Sequence, residues 1–98
     1  MGKVSSEELE RLRGMDASAV LPRIADYAKP DPSFRPIRSE HTARWHARVG
    51  SKEFELLVSG PKFYDTRQKR GGGGAIDLVM HLYGIEFQNA VERLRGSL

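Results

Sequence analysis

The sequence predicts an α+β domain: a small antiparallel β-meander packed with an N-terminal helical segment and two C-terminal helices. Three observations carry this expectation. Apolar and polar residues alternate with a period of two between Ala43 and Val58. Apolar residues then recur at helical spacing between Ile76 and Leu94. A chain of 98 residues builds one core, burying roughly two thirds of the surface that its unfolded form exposes. The whole chain, 1–98, is therefore read as one domain.

The elements follow in order. Ser5-Ser6-Glu7-Glu8 has the Ser-x-x-Glu spacing of a capping box and opens a short helix through Leu9 and Leu12, which Gly14 can end. Asp16 suits the N-cap of a second helix, with Val20, Leu21, Ile24 and Tyr27 along one face; Pro22 weighs against a long uninterrupted helix. Residues 1–28 thus form a helical segment. Lys29-Pro30-Asp31-Pro32-Ser33-Phe34-Arg35-Pro36 places three prolines close together, so 29–40 reads as a Pro-rich loop.

Residues 41–66 carry the meander. Ala43, Trp45, Ala47 and Val49 alternate with Arg44, His46 and Arg48, giving one apolar and one basic face. Phe54, Leu56 and Val58 form the apolar side of the next strand, with Glu53 and Glu55 on the other. Gly50-Ser51 has hairpin length, Ser59-Gly60-Pro61 is a second turn, and Lys62–Thr66 a third strand. Over 75–95 the period changes. Ile76, Val79, Met80 and Tyr83 make one helical stripe closed by Gly84; Phe87, Ala90, Val91 and Leu94 make another.

Composition narrows the function. Apolar residues are 39% and charged residues 30%, and no run approaches the ~18 apolar residues of a membrane span. The opening MGKVSSEELERLRG lacks the apolar stretch of a secretory signal. Cysteine is absent, which excludes disulfides, thiolate zinc sites and a cysteine nucleophile. A cytoplasmic protein without membrane partners is expected. The net charge is only +3, yet it is uneven: residues 1–28 balance to -1, residues 29–70 to +5 and residues 71–98 to -1. A basic field confined to the middle of the chain suits a polyanion, because neutralised phosphates release condensed counterions.

Catalytic chemistry is poorly provided for. His41, His46 and His81 do not have metal-ligand spacing, Asp65 and Asp77 stand isolated, and no nucleophile–base set is visible. No catalytic residue, metal site or cofactor is expected. Gly71–Gly74 leads into a helix without the Lys-Ser/Thr of a P-loop. It is either a flexible tether or, beside Arg67, Lys69 and Arg70, an anion-binding loop. The basic face of Arg44, His46 and Arg48 either pairs with Glu53 and Glu55 across the strands or meets phosphates. Tyr64 points opposite to Phe63, so one of the two is exposed. Beside Lys62 and Arg67, an exposed aromatic either stacks on bases or simply covers surface.

The segment Lys62–Met80, KFYDTRQKRGGGGAIDLVM, resembles the zinc-ribbon domain at the N-terminus of bacterial and plasmid DNA primases. That family has an aromatic strand, a Cys-x-x-Cys knuckle, a Gly-rich turn and an Ala-Ile-Asp helix. A second helix follows, which Phe87, Ala90, Val91 and Leu94 match. The similarity is close over 62–95 and loose over 43–61. The family's Cys-x-x-Cys falls on Thr66 and Lys69, and its earlier Cys-x-x-His falls near Trp45–Val49, where no such pair stands. The resemblance therefore implies a zinc-ribbon-like fold without zinc, in which apolar packing by Trp45, Phe54, Phe63 and the helices replaces the metal.

The resemblance further implies a module of a plasmid or mobile element, of the kind associated with Toprim-containing primases. Such a module contacts single-stranded DNA and assists a separate catalytic domain in replication initiation. The residues expected to bind nucleic acid are Arg44, Arg48, Lys62, Arg67, Lys69 and Arg70 on phosphates, with Tyr64 stacking on a base. The alternative is a protein-interaction module docking onto a primase, helicase or polymerase subunit.

Overall fold

A computed structural model describes residues 5–35 and 41–97. Residues 36–40 of the expected Pro-rich loop lie outside the described residues. The chain opens with α1 (Ser6–Arg13). The Ser5 hydroxyl oxygen accepts the Glu8 N–H at 3.1 Å, so the capping spacing works as expected at this end. α2 (Ala17–Ile24) buries Ala17, Val20, Leu21 and Ile24 and leaves Pro22 on the solvent side. Asp16 occupies the N-cap, but its side chain accepts no helix N–H.

Two expectations are corrected next. Tyr27 does not continue the second helix, and Lys29-Pro30 is not loop: Tyr27–Pro30 is a strand, β1. It pairs antiparallel with β2 (Ala43–Val49), placing Tyr27 opposite Arg48 and Lys29 opposite His46. Proline is tolerated there because β1 is an edge strand. β3 (Lys52–Ser59) and β4 (Lys62–Asp65) complete the expected meander, and Gly50 and Gly60 take the left-handed conformations (φ 62° and 55°) that their tight turns need. The second correction concerns the glycine run. Arg70–Gly72 forms a fifth strand, β5, so the sheet is five-stranded and antiparallel in the order β1-β2-β3-β4-β5.

Packing explains why that edge strand is glycine. A Cβ on Gly72 would lie 2.6 Å from the Phe63 ring and 2.8 Å from the Asp77 Cβ. A Cβ on Gly71 would lie 2.9 Å from the Phe63 carbonyl oxygen and 3.2 Å from the Tyr64 ring. The tyrosine thus covers the backbone of the glycine opposite it, as aromatic residues do over edge glycines. Gly74 is packed against Arg13 of α1 in the same way, and only Gly73 of the run has open space around it. The glycines serve close approach rather than slack.

α3 (Ala75–Tyr83) and α4 (Phe87–Ser97) stand where the helical stripes predict. All four helices pack on one face of the sheet. That face contributes Ala47, Phe54, Leu56, Val58 and Phe63 to the core, with Trp45 packed at its margin. Leu12, Leu21, Leu78, Leu82 and Leu94 fill it from the helices, each fully buried and each worth about 1.5–3 kcal/mol of transfer free energy. The Tyr83 hydroxyl donates to the Ile24 carbonyl, and Arg95 Nε donates to Glu8 Oε2 at 2.9 Å, tying the C-terminal helices to the N-terminal pair.

Candidate nucleic-acid interface

With every helix on one side, the opposite side of the sheet carries the alternate residues of each strand. Register assembles them into rows. Tyr27, Arg48 and Glu53 form one row; Lys29, His46 and Glu55 the next; Arg44, Leu57 and Tyr64 the third; Ser59 and Lys62 the last. Five cationic side chains (Lys29, Arg44, Arg48, Lys62 and, from the turn beyond β4, Arg67) share this side with three carboxylates: Glu53, Glu55 and, just beyond β1, Asp31. Tyr27 and Tyr64 are 44% and 43% exposed, and among the described residues they are the large aromatics left in solvent. They stand diagonally, about 20 Å apart by strand spacing and rise.

Glu55 is the hub of the face. Its carboxylate accepts from Arg44 Nε at 3.4 Å, meets His46 Nδ1 at 2.8 Å and lies 3.6 Å from the Arg67 guanidinium. His46 Nε2 is 3.0 Å from Glu53. Arg48 lies over the Tyr27 ring at 5.9 Å, the outer limit of a cation–π contact. The cross-strand pairs anticipated for Glu53 and Glu55 therefore exist. Glu53 is exposed, so its pair with His46 contributes at most ~1 kcal/mol and an arriving phosphate can exchange with it; Glu55 is only 19% exposed and holds its partners more firmly. Lys62 makes no ion pair among the described residues.

Of the residues expected to bind, Arg44, Arg48, Lys62, Tyr64 and Arg67 come together on this side. Lys69, with φ 57°, is the last residue of the β4–β5 turn, and its N–H donates to the Asp65 carbonyl at 2.8 Å. Arg70 is paired in register with Asp65, which faces the core, so Arg70 belongs to the helix side and lines a recess with Asp77, Met80 and His81. It is separated from the other cations by the sheet. Tyr27, Lys29 and Leu57 join the face without having been singled out. The alternation of Tyr27 and Lys29 about Ala28 was the available signal, masked by the helical spacing from Ile24 and the prolines that follow.

The β4–β5 turn has its own fastening. Asp65, expected to be isolated, is fully buried and accepts three hydrogen bonds. Its Oδ1 takes the N–H groups of Arg67 and Gln68, both at 2.9 Å, and its Oδ2 meets His81 Nε2 at 2.7 Å. Burial alone would raise this carboxyl. The Gln68 N–H, the His81 imidazole and the Arg67 N–H outweigh it and hold the group below its ordinary value. An ionised carboxylate only accepts, so Nε2 carries the imidazole proton. His81 also lies between Phe54 and Phe63, with ring centroids 5.8 and 5.6 Å away.

This is the turn where the resemblance places two zinc ligands, and the residues present do not fit that metal. The Thr66 hydroxyl donates to the Glu55 carbonyl, Lys69 offers an ammonium, and no group of three metal-ligating side chains occurs among the described residues. Apolar packing was expected to replace the metal. Phe54 and Phe63 do pack in the core, but the turn itself is closed by a buried carboxylate–imidazole pair.

No protein-family model matches the chain, and no solved structure matches it. Among curated proteins, a stretch of 41 residues is 44% identical to a protein of Zymomonas mobilis named only as a 65 kDa protein. The stretch covers 42% of this chain and 7% of that protein. Among the described residues, no helix is long and apolar enough to cross a membrane.

Proposed function

We propose that this chain binds single-stranded DNA on the helix-free face of its sheet, as a module that assists primer synthesis in plasmid or mobile-element replication. The observation that supports this reading is the company kept by the two exposed tyrosines. Each stands among cations on a face that no helix covers. Stacking of an unpaired base on an aromatic ring contributes about 1–3 kcal/mol, and the cations supply the phosphate contacts that make binding depend on salt. The resemblance of residues 62–95 to primase zinc ribbons gives the reading its biological setting.

The test is a salt titration of binding to a labelled oligothymidine of about 12 nucleotides, within the range of single-strand site sizes. Three to five phosphate contacts give a log–log slope of roughly -2 to -3.5. Converting Arg44, Arg48 and Lys62 to Ala should flatten it by about 2, and Tyr64→Ala should weaken binding with the slope unchanged. Affinity that ignores salt, or that survives the triple substitution, refutes the proposal and leaves the face to a protein partner such as a primase, helicase or polymerase subunit.

A further inference from the structure

Beside Tyr64 the outer face is not flat. A pocket of about 340 Å3 opens there, lined by Thr42, Leu57, Ser59, Lys62 and Tyr64, with Val58, Phe63 and Gly72 completing it. Val58 and Phe63 turn their side chains to the core, so they offer backbone to the outer side. The lining is predominantly apolar, unlike the recess beside Tyr27, which is lined by Lys29, Asp31, Arg44, His46 and Glu55. Its volume is at the lower end of the ~300–1,000 Å3 typical of small-ligand sites.

We infer that this pocket receives one unpaired nucleobase, an inference that rests on the single-stranded DNA reading of the same face. Three features select that occupant. One wall is the ring of Tyr64, steadied from the far side by its contact with the Gly71 backbone position, and Leu57 offers an apolar surface beside it. Lys62 makes no ion pair among the described residues and is an exposed residue of the lining, a cation for the phosphate joined to an inserted base. The Thr42 and Ser59 hydroxyls supply a donor and an acceptor for a base edge without fixing which base it is. A base within a duplex cannot present its face to such a pocket, so the site selects unpaired strand. Tyr27, in a polar and charged setting, holds the backbone's path instead.

The pocket is tested by filling it. Ser59→Trp places an indole in the space from the last outward position of β3. Binding is measured to an oligothymidine and to a sugar–phosphate strand of equal length without bases. For the parent protein, removing the bases should weaken binding roughly 5- to 150-fold, the range expected for one stacked base. Ser59→Trp should weaken binding of the oligothymidine by a similar factor and leave the base-free strand unchanged. A second measurement needs no variant: an oligonucleotide carrying 5-bromouracil, irradiated in complex with the parent protein, should attach to the tryptic peptide Phe63–Arg67.

If the parent protein binds neither strand, the reading of the face has failed and the pocket inference falls with it. If it binds both strands equally with a normal salt slope, or if the cross-link forms only at peptides containing Tyr27, the face stands and the pocket inference is overturned. Equal weakening of both strands by Ser59→Trp also overturns the pocket, provided the variant melts with the parent.

Discussion

Removing the Asp65 carboxylate should reveal how the β4–β5 turn is held. Asp65→Ala withdraws the acceptor from three donors at once: the Arg67 and Gln68 N–H groups and His81 Nε2. The first two belong to exposed residues that water can reach, so each loses about 0.5–1 kcal/mol. The imidazole cannot be rehydrated so easily, since its side chain is only 9% exposed. Leaving it without a partner costs about 1–3 kcal/mol. The total, about 2–5 kcal/mol, overlaps the ~3–5 kcal/mol typical when one partner of a buried pair is deleted. In a chain of this length, that lowers the melting temperature by roughly 8–40 °C.

Asp65→Asn keeps the oxygen that serves both backbone N–H groups and should cost about 1 kcal/mol. Thermal melts followed by circular dichroism distinguish the three proteins. The carboxyl titrates below its ordinary value of 3.8 in the folded state. Its contribution is therefore complete above about pH 4 and disappears as the pH falls below that. The parent should lose stability steeply in that acid range, and Asp65→Asn should lose it less steeply. An Asp65→Ala protein that melts within a few degrees of the parent at neutral pH would falsify the claim that this pair fastens the turn.

Other outcomes follow from the same geometry. Gly72→Ala should destabilise the fold by about 1–3 kcal/mol, because its methyl group overlaps the Phe63 ring, whereas Gly73→Ala should change stability by less than about 0.5 kcal/mol; denaturant titrations measure both. Glu55→Gln removes a negative charge from the centre of the outer face. For a phosphate about 7 Å away in water this is worth about 0.6 kcal/mol, so single-stranded DNA should bind about 3-fold tighter in anisotropy titrations. Arg67→Ala should weaken that binding and reduce its salt slope by about 0.7, while Arg70→Ala, on the helix side, should leave the slope unchanged.

Much of this architecture was written in residue periodicity. The opposite facings of Phe63 and Tyr64, the basic and apolar sides of β2, and both C-terminal helices follow from spacing alone, because each depends only on the geometry of its own backbone. What was hidden depends on partners. Tyr27–Pro30 is a strand because β2 lies beside it, not because its composition favours one. Gly71 and Gly72 resemble slack in a sequence, since the rings that exclude a side chain there belong to β4. Asp65 and His81 are 16 residues apart, and nothing in either neighbourhood announces that they meet in the core. The same ignorance of partners grouped Arg70 with Arg67, although register sends Arg70 to the helix side and the pair with Glu55 holds Arg67 on the other.

The division of labour between the two sides of the sheet makes this chain a natural scaffold for selection experiments. Tyr27, Arg44, Arg48, Leu57, Lys62 and Tyr64 lie outside the apolar cluster that the helices seal. A library randomised at these six places can explore new recognition surfaces while the folding determinants stay fixed behind them.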